Sequence, residues 1–206
     1  RSAWDAAQKA PMPVRTNEPW RFANLKQLAN LPTFIAAAPA DDATAKGLVQ
    51  RSNELEDASG KMVFVNEALV HDKRPDIEGL ICAPISEAAE KHAQLLQEYF
   101  MTQEATLGSE KFALLHKSRT KSGLFIYVPA GMEIELPFEV YHWATGANAS
   151  IFPHTLIVTG EGAKVTVVDY YQSALENEAG FSCGVVDLVA GRGSKIRYVA
   201  CQDLSG

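Results

Sequence analysis

The sequence predicts a mainly β fold, a solenoid of stacked strands behind a helical N-terminal region. Three observations predict it. Gly131, Gly162 and Gly193 fall thirty-one residues apart. Around them apolar residues return in one register: Ile126, Ile157 and Leu188; Ile134, Val165 and Ile196; Leu136, Val167 and Tyr198. After each glycine apolar and polar residues alternate with period two, as in a strand with one buried and one wet face. A single copy has too little apolar face to bury alone, but stacked copies bury like on like. A meandering antiparallel sandwich with accidental spacing is the competing arrangement, and several columns in one register argue against it.

Taken in order, residues 1–50 read as helical and loop-like, broken by Pro11, Pro13 and Pro19. Trp20 and Phe22 carry large apolar surface that pins an N-terminal arm to a body, and Arg21 suits a carboxylate partner. Residues 36–47 read as a linker or loop. Short strands are expected at 61–66 and 80–85. From Ser86 to about Thr102 the spacing of Ala88, His92, Leu95, Leu96 and Tyr99 predicts a helix capped by Ser86, with His92 as a structural residue of its stripe. Gly108 marks a break, and residues 112–115 lead into the repeats. The first copy then holds strands at about 124–128 and 132–138 around a turn at Pro129-Ala130-Gly131. Later copies turn at Gly160-Glu161-Gly162 and Gly191-Arg192-Gly193, where glycine supplies positive φ without steric cost. The organisation is a mixed α/β region over 1–108 followed by the first coils of a solenoid over 109–206. A strand stack needs a cover at its open end, and the pattern stops at Asp203-Leu204-Ser205-Gly206, so the chain reads as a fragment of a longer protein.

Composition excludes several classes. The 206 residues are 47% hydrophobic and 21% charged with a net charge of −6, which is ordinary globular composition without a basic patch for nucleic acid. No apolar run is long enough to span a bilayer. Three cysteines, Cys82, Cys183 and Cys201, are too few and too odd for a disulfide framework and favour a reducing, cytoplasmic setting.

Local chemistry is sparse. The cysteines form no C-x-x-C pair, and His71, His92, His116, His142 and His154 show no H-x-H or H-E-x-x-H spacing, so no metal ligand is assigned. Cys183 and Cys201 read as small buried hydrophobes. Pro153-His154-Thr155 with Glu161 is too thin for a jelly-roll metal site. Neither G-x-S-x-G nor a phosphate loop occurs, so no catalytic residue is assigned, and no cofactor-binding residue is identified. Glu133, Glu135, Lys164, Lys195 and Arg197 form either a solvated strand face or the acidic and basic face of a carbohydrate-active β-solenoid enzyme.

Four stretches resemble the SufB/SufD family of SUF iron–sulfur cluster assembly proteins. Residues 18–25, Glu-Pro-Trp-Arg-Phe-Ala-Asn-Leu, are similar to its E-x-W-R-Y-[TA]-x-L signature. Residues 124–137 resemble its V-P-x-G-V-x-[VI]-x-x-P strand. Residues 154–167 resemble its R-x-L-I-V…G-A-x-[LV]-x-[LV] rungs, with His154 in place of Arg. Residues 198–204 are similar to its Y-x-x-x-Q-N-L strand, with Asp203 in place of Asn. Within the family the long helical N-terminal region and the lack of a cysteine-rich stretch favour the SufD branch. The resemblance implies a right-handed parallel β-helix and a non-catalytic scaffold subunit. The implied partners are SufB and the ATPase SufC, and the iron–sulfur cluster is handled by the full complex rather than by this piece. The family's SufC-docking domain and its implicated histidine lie later in the chain, so no ligand or catalytic residue is carried over. A purely structural interaction module is the third reading.

Overall fold

A computed structural model describes residues 2–26, 28, 31, 34–103 and 109–205. Gly108, read above as a break, lies outside the described residues. The described part is a mixed α/β structure with three sheets of mostly parallel strands.

Helix α1 (Ser2–Lys9) is followed by a 3₁₀ turn at Glu18–Trp20 and a two-residue strand β1 (Ile35–Ala36). Helix α2 (Asp42–Arg51) starts inside the stretch expected to be a linker. The cause is Asp41, whose carboxylate accepts from the Thr44 N–H at 2.8 Å and satisfies an otherwise orphaned donor. Strands β2 (Gly60–Val65) and β3 (Ala68–Lys73) form an antiparallel hairpin, and β4 (Ile81–Pro84) follows, near the expected places. The single helix expected from Ser86 is two, α3 (Ile85–Lys91) and α4 (Ala93–Tyr99), split where His92 takes φ −132° and ψ 32°. Its cap is Pro84, which enters the helix with φ −60°, so Ser86 lies within the first turn. Helix α5 (Glu110–Arg119) occupies the stretch read as a lead-in, and the Ser109 hydroxyl accepts from the Phe112 N–H at its start.

The remaining strands are β5 (Gly123–Val128), β6 (Phe138–Ala144), β7 (Ala149–Ile151), β8 (His154–Thr159), β9 (Lys164–Ser173), β10 (Gly180–Ser182), β11 (Val185–Ala190) and β12 (Lys195–Asp203). They fall into three sheets in a repeating order. One sheet runs β11-β8-β5-β4, the second β12-β9-β6-β2-β3, and the third β1-β7-β10. Successive segments therefore add one strand to each sheet. Ile126 pairs with Ile157, and Ile157 with Leu188. Val165 pairs with Ile196, and Val167 with Tyr198. All these pairs are parallel; among the described strands only β3 and β4 run antiparallel to their neighbours.

The corners explain the glycines. Gly131, Gly162 and Gly193 share one backbone state, with φ of 74°, 70° and 68°. The Gly131 N–H donates to Glu161 O at 2.8 Å, and the Gly162 N–H to Arg192 O at 2.9 Å, so each turn rests on the next. The Leu136 column is a correction. Glu133 bridges Lys164 in the expected register, but Phe138, not Leu136, pairs with Val167. Pro137 has no N–H to give the ladder, the chain bulges there by two residues, and Leu136 is left 46% exposed. The strand expected at 132–138 is thus a single bridge at Glu133 followed by β6.

Inside the sheets the buried faces meet in one core that includes Met62, Leu124, Ile126, Phe138, Ile157 and Val165. The outer faces are covered in part. Leu48 of α2 packs on Val63, Tyr141 and Trp143, and Ala88 and Leu96 of α3 and α4 pack on Phe125 and Leu156. On β11 and β12, Leu188 and Val199 are exposed.

Candidate functional site

Among the buried polar side chains that interrupt this apolar packing, two groups contain histidine, one within the core and one under the helices. The inner group centres on Asp169. In β9 the inward file runs Val165, Val167, Asp169, Tyr171, so strand alternation itself carries a carboxylate into the core. Its Oδ2 accepts from Thr155 Oγ1 at 2.8 Å, Tyr198 OH at 2.8 Å and Tyr171 OH at 3.1 Å. His142 Nε2 lies 3.2 Å from Oδ1, within ion-pair distance but poorly aligned for a hydrogen bond. The His142 ring is held between Phe64 and Tyr171, with centroids 5.3 and 5.1 Å away. Burial pushes the Asp169 carboxyl upward, but the neighbouring His142 ring and the hydroxyl donors outweigh it and hold it below its ordinary value. Burial, and then the Asp169 charge, push the Tyr171 and Tyr198 phenols well above theirs, so both stay protonated as donors.

The outer group lies where α5 covers β8. His116 Nδ1 is 2.8 Å from the Cys183 carbonyl oxygen, and its Nε2 is 3.0 Å from His154 Nδ1. His154 Nε2 in turn lies 3.3 Å from Asp187 Oδ2 on β11. Both rings are buried, and Phe100 packs on His154 with centroids 4.5 Å apart. Burial is the main reason His116 is held down to about 4, a neutral ring at physiological pH. His116 and Asp187 both line a cleft with Glu110 and Lys117. The arrangement can position and hold protons. Among the described residues no group of three or more His, Cys, Asp or Glu side chains is placed to hold a metal ion.

The residues singled out from sequence are mostly kept apart. Cys82 sits on β4, Cys183 just after β10 and Cys201 on β12, and all three are free thiols. Burial raises Cys82 and Cys183 to about 12, so neither is a thiolate at neutral pH. Iodoacetamide at pH 8 is therefore expected to label both far more slowly in the native chain than in urea, as read by mass spectrometry. Equal rates would show that the burial is wrong. Glu133 pairs with Lys164 at 2.9 Å and Glu161 with Arg192 at 2.6 Å, all largely exposed, as on a solvated face. The spacing arguments passed over His116, His142, Asp169 and Asp187. The legible signal was a charged residue on an inward strand position, Asp169; the histidine contacts join residues far apart in the chain.

No helix among the described residues is long and apolar enough to cross a membrane. The family description "SufBD protein N-terminal region" matches residues 1–140, and "SUF system FeS cluster assembly, SufBD core domain" matches residues 142–206. The iron–sulfur cluster assembly protein SufD of Bacillus subtilis is 27% identical over 128 residues, covering 62% of this chain and 29% of the relative. An iron–sulfur cluster assembly SufBD family protein of Staphylococcus epidermidis is 26% identical over 142 residues, covering 68% of this chain and 30% of the relative. The chain thus spans about three tenths of the length of these curated relatives. The first match alone covers more than half of the residues, including the Trp20 arm and the hairpin beside β6, and the second takes in the parallel pairs β8–β11 and β9–β12. This chain belongs to the SufBD family of the SUF iron–sulfur cluster assembly system.

Proposed function

We propose that the chain is a SufD-type, non-catalytic scaffold component of the SUF assembly complex, working beside SufB and SufC in the cytoplasm. Strands β5–β12 are on this reading the first coils of a right-handed parallel β-helix within residues 109–206, and residues 1–108 are a mixed N-terminal region that adds β1–β4 to the same sheets. The observation that carries the reading is the pair of family matches, which together take in nearly every residue. The thirty-one-residue register, in which Glu133 pairs with Lys164 and Glu161 with Arg192, each thirty-one residues on, supports the coil geometry. No cluster is expected on this piece alone; the full complex handles it.

The test is co-purification of the full-length protein with tagged SufB and SufC, which is expected to give a complex of the three. Failure to associate with either partner contradicts the scaffold role. In parallel, this chain mixed anaerobically with iron and sulfide is expected to gain no visible absorption, and a stoichiometric cluster on it would contradict the reading.

A further inference from the structure

We infer that the cavity between the α1–α5 pair and the third sheet binds a single-chain carboxylate. Its head sits on Arg119 and its aliphatic tail among the rings of Phe34, Phe152 and Phe181.

The cavity follows from how the layers meet. Its floor is a row across the third sheet, where Ala36, Ser150 and Phe181 are register partners on β1, β7 and β10. Two of these side chains are small, so the floor is low beneath the helices. One wall is a face of α5, with Lys111, Leu115 and Arg119 at successive four-residue steps, and another is the Trp4 and Ala7 face of α1. The space enclosed is about 480 Å³, within the range of about 300–1,000 Å³ that takes a small ligand. Its inside is apolar. Phe34 and Phe152 pack on Phe181 with centroids 5.6 and 6.1 Å away. The hydroxyl of the floor is already used, because Ser150 Oγ donates to the Ile35 carbonyl oxygen at 2.7 Å. A chain of methylenes therefore meets no polar group it would leave unpaired, and each methylene taken out of water adds to binding.

The charge of the lining selects the head. Lys111 and Arg119 are cations and none of the described lining residues is an acid, in a chain whose net charge is −6. The Lys111 ammonium is engaged, since it donates to the Ala7 carbonyl oxygen at 2.6 Å in the last turn of α1. The Arg119 guanidinium lies over the Trp4 ring, 4.2 Å from its centre. That contact fixes the guanidinium at the cavity and leaves N–H donors for a carboxylate, which the planar fork grips in pairs. Arg119 is exposed and Leu115, one turn before it, is buried, so a ligand held here keeps its head at the water edge and its tail inside. An amphiphile with one anionic end matches both halves of the cavity.

Titration of this chain with decanoate and with 1-decanol at neutral pH, followed by the NMR signals of the Leu115 methyls and the Trp4 indole N–H, tests the assignment. Decanoate is expected to shift both signals saturably and to bind about tenfold more tightly than the alcohol, which has the tail without the charge. Arg119→Met keeps an apolar stem beside Trp4, and there decanoate is expected to fall to the affinity of the alcohol. Ala36→Phe fills the floor and is expected to abolish binding of both. Absence of a saturable shift at Leu115 and Trp4 with decanoate, equal affinity for acid and alcohol in the unaltered chain, or undiminished decanoate binding in either variant would overturn the inference.

Discussion

Asp169→Leu is expected to destabilise the chain by about 3–5 kcal/mol, the range for breaking a buried charged network from one side. The substitution removes the acceptor shared by Thr155, Tyr171 and Tyr198 and the counter-charge beside His142. Those four polar groups come from β8, β9, β12 and β6, so the loss is felt in two sheets at once. A domain of this size is stable by only about 5–15 kcal/mol, so the loss is a large fraction of the whole. Asp169→Asn keeps an acceptor for the hydroxyls and is expected to lose less. Urea unfolding followed by circular dichroism ranks the variants, and an Asp169→Leu loss under about 1 kcal/mol would show that the network contributes little. The pH dependence has a definite sign. The folded carboxyl lies below its ordinary value, so its contribution is complete above the unfolded value of about 4 and is lost as pH falls through the lower folded one.

Gly123→Ala is expected to destabilise by about 3 kcal/mol or more. A Cβ at Gly123 would lie 1.8 Å from the His154 carbonyl oxygen, and the residue has φ +145°, which L side chains rarely adopt. The His154 backbone has little room to yield, because it is paired with Gly123 on one side and Val185 on the other. Gly131→Ala is the control. Its φ is +74° but a Cβ there meets nothing within 4 Å, so only the left-handed penalty of about 1–2 kcal/mol applies. Thermal unfolding is expected to place Gly123→Ala well below Gly131→Ala. The reverse order would mean that β5 and β8 do not approach as described.

The period of the repeat was open to reading because glycine corners and apolar columns are local chemistry repeated. Ile126, Ile157 and Leu188 pair in the register their spacing implies. The Leu136 column failed at Pro137, where a missing N–H shifts the register and no residue count reveals by how much. Helix α5 was passed over because its short apolar run looks like a buried strand as much as a helix, although Ser109 followed by Glu110 is a fair start signal. The polar groups were harder still. Asp169 was passed over although it lies on an apolar file, and that it meets Tyr198 of the next segment depends on stacking that spacing alone does not supply. His116 reaches His154 only because α5 folds back over β8.

The most direct test of the stacked arrangement is a methyl–methyl NOE spectrum of this chain with labelled Ile, Leu and Val. Contacts are expected from Ile157 to both Ile126 and Leu188, and from Val165 to Ile196, each pair thirty-one residues apart and in register on neighbouring strands. An Ile157 signal with no contact to Ile126 or Leu188, in a chain otherwise well folded, would contradict the stack.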